Sequence, residues 1–170
     1  GLAHFAADNG GFFDTADDAE ALISRPQDLT DNATPSGSAA FAGALVTFAA
    51  LTGSSAHRAA AEAALLTAST IVTKAPRFAG WWAAVAEALL DGPYEVAIVG
   101  ENPDLVRASW LSARPGQVIA SAQSPASVAA VPLLADRGLV DGQPAAYVCR
   151  GFVCQRPVTT VADLQVQLRG

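Results

Sequence analysis

The sequence predicts a mainly α-helical chain that closes in a small α/β segment, with the division at Gly92-Pro93. Three observations carry this. Before the division, apolar residues recur at helical spacing between Gly and Pro stops. After it, short β-branched runs alternate with helical ones. Apolar residues make up 51% of the 170 and charged residues 15%, which suits a buried core and excludes a disordered chain. The expected units are residues 1–92, an array of helical hairpins, and residues 93–170, an α/β segment containing a βαβ unit.

Residues 1–7 read as the tail of a helix, stopped by Asn9-Gly10-Gly11, residue types that accept the left-handed conformation. Residues 12–15 read as a short extended piece and 16–23 as one or two helical turns. A loop rich in Pro, Asp, Asn, Thr and Ser follows over 24–38, long for a compact domain. Thr34 as N-cap, Pro35 at the first helical position and Gly53 at the end predict the next helix. Its body is apolar nearly all round, as in a helix surrounded by other helices. Further helices are expected over 55–74 and 77–90, the latter with Phe78, Trp82, Val85 and Leu89 on one face. Beyond Pro93, strands over 94–100 and 117–121 flank a helix capped at Asn102-Pro103, and such a βαβ unit makes its strands parallel. Residues 125–137 read as helical and then irregular around Pro132. A third strand over 145–149 and a helix from Thr160, with Thr160 and Asp163 as a capping box, complete the chain.

Ten basic against sixteen acidic residues give a net charge of −6, which argues against nucleic acid and anionic membranes as partners. The charge is localised. Seven acids and a single base, Arg25, lie between Asp8 and Asp31, and the remaining nine acids and nine bases cancel. The most apolar stretch, residues 39–51, is too short to span a bilayer. The chain has no Met and no signal-peptide pattern, so it is expected to begin inside a longer protein. Two Cys, Cys149 and Cys154, are compatible with a reducing compartment, and a cytoplasmic location is expected.

Three stretches in order carry a family likeness: Gly10-Gly11-Phe12-Phe13-Asp14-Thr15 with Asp18; Arg25-Pro26 followed by Asp31, Asn32, Ala33 and Pro35-Ser36-Gly37; and Tyr147-Val148-Cys149 with Phe152, Cys154, Pro157 and Val158. Together they resemble the C-terminal part of the thioredoxin-domain-containing, spermatogenesis-associated-protein-20-like (DUF255) family. The resemblance implies an N-terminal thioredoxin-like domain, absent here, and an (α/α) toroid similar to six-hairpin glycosidases and sugar epimerases. This chain would supply the last hairpins of that toroid and the closing α/β segment. The family usually has Lys after Arg-Pro and Asn after Pro-Ser-Gly, where this chain has Gln27 and Ser38.

The acidic loop is the first candidate site. Asp14, Asp18 and Asp31 are candidate acid/base carboxylates for sugar chemistry, which needs one protonated and one ionised group. Arg25, Asn32, Ser36 and Gly37 are candidate contacts to a carbohydrate or small polar ligand. The plainer reading, which is preferred, gives the same residues capping and loop-turning roles, with Arg25 tying the loop down. Cys149 and Cys154 read by default as structural thiols, with a redox pair as the alternative. Residues five apart on one strand point to opposite faces, so a bridge needs a turn at Arg150-Gly151, which Gly151 permits. His4 and His57 lack metal-ligand spacing, so no metal site and no cofactor are expected. The strand-to-helix turn at Gly100-Glu101 lacks the dinucleotide fingerprint. Two main readings stand, a carbohydrate-handling cleft or a non-catalytic binding or redox-adaptor module that positions a thioredoxin-like domain, with a nucleotide-binding half-domain as the third and weakest.

Overall fold

The computed structural model describes residues 1–20, 23–123 and 131–169. The helical turns expected over 16–23 do not form in the described part, where residues 17–20 are turns and bends. The helix expected to start at 125 falls mainly outside the described residues; Pro132–Leu134 form a 3₁₀ turn.

After a one-turn helix α1 (Leu2–Phe5), the loop leads into α2 (Gly37–Thr52). Ser36, not Thr34, is the N-cap, and its hydroxyl accepts the Ala39 amide. Gly53 ends α2 at φ 73°, as its lack of a Cβ allows. The helix expected over 55–74 is broken at Ala68 into α3 (Ser55–Thr67) and α4 (Ser69–Lys74). The next begins with a 3₁₀ turn, Pro76–Phe78, before α5 (Gly80–Asp91). Trp82, Val85 and Leu89 are buried on α5 as the spacing predicts, joined by Ala88, while Phe78 is partly exposed.

Strand β1 (Tyr94–Val99) pairs in parallel with β2 (Val118–Ala122) across α6 (Pro103–Leu111), which is the expected βαβ unit. Asn102 caps α6 by accepting the Asp104 and Leu105 amides. Antiparallel β3 (Ala145–Arg150) lies on the other side of β1, and β4 (Val153–Cys154) forms the edge, giving the order β2-β1-β3-β4. Helix α7 (Val161–Arg169) closes the chain behind the Thr160–Asp163 capping pair.

Two apolar layers cover the sheet. Leu105 and Ala108 of α6 and Leu164 and Leu168 of α7 bury one face against Val96, Ile98 and Val148. The other face, with Ala97, Val99, Val118 and Ala120, packs on Ala50 of α2 and on Leu133 and Leu134. Helix α2 also forms a core with α3 and α5 around Ala42, Leu45, Ala61, Ala64, Trp82 and Val85.

The toroid expectation is therefore corrected. The described residues form a mixed α/β arrangement, seven helices with a four-stranded mixed sheet, and no ring of hairpins. Nor is α2 surrounded by helices: helices cover one side of it, the sheet packs on Ala50, and Ala40, Ala44, Thr47 and Phe48 are exposed. Among the described residues no helix is long and apolar enough to cross a membrane.

Candidate functional site

The acidic loop is held together by its own motif residues. Asp31 is buried, and its Oδ1 accepts the Ser36 amide at 2.8 Å while its Oδ2 accepts the Trp81 amide at 2.7 Å. One carboxylate thus ties the loop to the entry of α2 and to the first turn of α5. Ser36 spends its hydroxyl on the α2 cap. Arg25 donates to the His4 carbonyl at 2.8 Å and the Thr15 carbonyl at 2.5 Å, and stacks 4.0 Å over the Phe13 ring. Asp14 accepts the Asp28 amide at 2.9 Å. Asn32 is exposed, and its amide donates to the Thr34 carbonyl.

The loop carboxylates do not converge on one cleft. Asp14 and Gly37 border a hollow of about 230 Å³ walled by Phe5, Phe12, Phe13 and Phe41, and Asp18, Arg25, Asp31, Asn32 and Ser36 are not among its walls. Asp18 instead lies on the surface, 3.6 Å from His4 Nδ1, which is 2.8 Å from Asp17. The hydrogen bond and charge of His4 hold the Asp17 carboxyl below its ordinary value. Trp82 is core, donating its indole N–H to the Leu29 carbonyl, whereas Trp81 is 47% exposed.

The two cysteines come together. Cys149 and Cys154 are opposite one another in the β3–β4 ladder and form a disulfide. The strands reverse through Gly151 and Phe152, both at positive φ (55° and 65°), the signature of a two-residue type I′ hairpin. The turn thus lies one residue beyond the position expected from the sequence. Cys149 is 1% exposed, whereas Cys154 opens onto the surface.

One charged side chain reaches both sulfurs. The Arg137 guanidinium donates to Cys154 Sγ at 2.9 Å and to Cys149 Sγ at 3.4 Å. It is anchored through the Leu133 and Ala135 carbonyls at the end of the 3₁₀ turn. Tyr147 pins the following residue, its hydroxyl donating to the Gly138 carbonyl at 2.8 Å. Burial lowers the Arg137 pKa, and the nearby Glu95 charge opposes that shift.

Glu95, 1% exposed, accepts the Phe152 amide at 2.7 Å through Oε2. That bond holds a bulky residue in the left-handed region, a conformation that costs of order 1–3 kcal/mol in isolation. Burial raises the Glu95 carboxyl above its ordinary value, against the hydrogen bond from Phe152 and the charge of Arg137. Beside Cys154 lies an open cleft of about 440 Å³, bordered by Pro132, Asp136, Arg137, Tyr147, Phe152 and Pro157.

Glu95 left one trace in the sequence: a lone carboxylate in a strand otherwise apolar enough to be buried on both faces. Arg137 left none, since only the chain fold brings it to cysteines 12 and 17 residues away. No protein-family model, curated protein or solved structure matches this chain.

Proposed function

We propose that the chain is a thiol–disulfide module, in which Cys149 and Cys154 cycle between disulfide and dithiol. The observation that carries this reading is a guanidinium donating to both sulfurs, one exposed beside an open cleft and the other buried. A neighbouring cation favours thiolate over thiol, and the thiolate is both nucleophile and leaving group in exchange. A partner thiolate attacks the accessible Cys154 Sγ, the S–S bond breaks, and its electron pair passes to Cys149. A second partner thiolate then attacks the partner's sulfur in the mixed disulfide and releases Cys154. The two electrons come from two thiols, which leave as a disulfide.

In a reducing cytoplasm the pair would rest as the dithiol. A carbohydrate cleft has less support: Arg25, Asp31 and Ser36 are engaged in holding the loop, and no two candidate carboxylates face each other across a hollow.

The test is reversible opening under native conditions. The oxidised chain is treated with dithiothreitol without denaturant, its thiols are alkylated, and its mass and circular dichroism are read. Two alkylated cysteines on a folded chain, with full return of the disulfide after the reductant is removed, support the module. A disulfide that opens only when the chain unfolds refutes it.

A further inference from the structure

Glu95 and Cys149 are register partners in the β1–β3 ladder, so their side chains stand next to each other on one face of the sheet. Cys154 is the next position along that row. Three strands thus line up a buried carboxyl, a buried sulfur and an exposed sulfur. Glu95 also borders a second cavity of about 200 Å³, with Ser54, Ser55, Arg58, Gly151 and Phe152 in its wall.

The two sulfurs differ in how they can hold charge. Arg137 is nearer Cys154, which also has water, so a thiolate there is stabilised twice. Cys149 is the leaving group in the opening step, and a negative charge abandoned at a 1%-exposed position is costly. Glu95, equally buried but faced by the Phe152 amide, Arg137 and Arg58, is the better placed of the two to carry that charge, so a proton passes to Cys149.

Resting on the thiol–disulfide reading, we infer that Glu95 gives a proton to Cys149 when the disulfide opens and takes it back when the disulfide closes. The cavity beside Ser54 and Arg58 is its route to water. On opening, a thiol-derived thiolate bonds to Cys154 Sγ, the S–S electron pair moves to Cys149 Sγ, and the Glu95 carboxyl proton follows, leaving a carboxylate. On closing, that carboxylate removes the Cys149 proton as Cys149 attacks Cys154 and expels the partner thiolate. Burial keeps the Glu95 proton bound closer to neutrality than on an exposed glutamate, as an exchangeable proton requires. The charged groups facing it are Arg58 from α3 and Arg137 from the segment after the 3₁₀ turn, with the Gly151 and Phe152 amides from the hairpin.

The experiment follows opening by dithiothreitol and closing by a small disulfide across pH, for the wild-type chain and Glu95→Gln. Glutamine keeps an oxygen for the Phe152 amide but carries no exchangeable acid. Wild type should show an inflection in its closing rate. Glu95→Gln should close about a hundredfold more slowly at neutral pH, with a rate that simply climbs with hydroxide. Alkylation of Cys154 should be unchanged. Superimposable profiles overturn the inference. Failure of the wild-type chain to open at all without denaturant overturns the underlying reading instead. Should Glu95→Gln not fold, the Glu95 carboxyl is titrated by carbon NMR in oxidised and reduced wild type. Its midpoint should move on reduction, and an unmoved midpoint overturns the inference.

Discussion

Replacing Asp31 by Ala separates a structural carboxylate from a catalytic one. Both of its oxygens accept backbone amides, Ser36 N at 2.8 Å and Trp81 N at 2.7 Å, and the residue is 8% exposed. Alanine leaves two donors without a partner, and each unsatisfied buried donor costs about 1–3 kcal/mol. The Trp81 amide is part-buried and regains some water, so the expected loss is about 3 kcal/mol. Urea unfolding measures it: with a slope of about 2 kcal/mol per molar, the midpoint falls by roughly 1.5 M. Asp31→Asn should lie between, because its one carbonyl oxygen can serve one amide while its NH₂ faces the other. A midpoint for Asp31→Ala within about 0.3 M of wild type, together with lost binding of a sugar, would refute the structural assignment and return Asp31 to a ligand site.

Arg137→Gln should slow alkylation of reduced Cys154 about tenfold at neutral pH, since a charge-assisted contact is worth about one pKa unit or more; an unchanged rate would detach the guanidinium from the chemistry. Gly116→Ala should cost about 2 kcal/mol in thermal or urea unfolding, because residue 116 sits at φ 72° and an added Cβ would lie 2.4 Å from Ala88 Cβ. Stability should also fall with rising pH through Glu95. Its folded value is raised, so its contribution is fully present below the unfolded value and is lost as pH rises through the folded one. Urea midpoints at acid and at mildly alkaline pH should therefore differ less in Glu95→Gln than in wild type.

Local signals were legible and partnerships were not. The βαβ unit, the Asn102 cap, the Thr160–Asp163 cap and the buried stripe of α5 were all written in a few neighbouring residues. The start of α2 was misplaced because Thr34, Pro35 and Ser36 offer competing caps, and Asp31 decides the matter by binding the Ser36 amide. The break at Ala68 has no Gly or Pro to announce it. The toroid came from likeness and not from periodicity. An all-round apolar helix predicts that α2 is enclosed, yet Ala40, Ala44, Thr47 and Phe48 face solvent, and the covering surfaces on its other sides are helices and the sheet.

The same limit applies at the sulfurs. A separation of five positions between the cysteines showed that a turn was needed, and Gly151 showed where one was possible. The second turn residue, however, is Phe152 at φ 65°, which local preference alone would reject. It is held by two distant contacts: the Glu95 carboxyl oxygen on its amide, and Gly53, where an added Cβ would lie 3.3 Å from its ring. Gly53 is also the cap that ends α2. The hairpin carrying the disulfide is thus fixed by the strand beneath it and by the end of the helix shared between both cores. A change in the hairpin when the disulfide opens has a direct path to the α2–α3 corner, because the Phe152 ring rests on it.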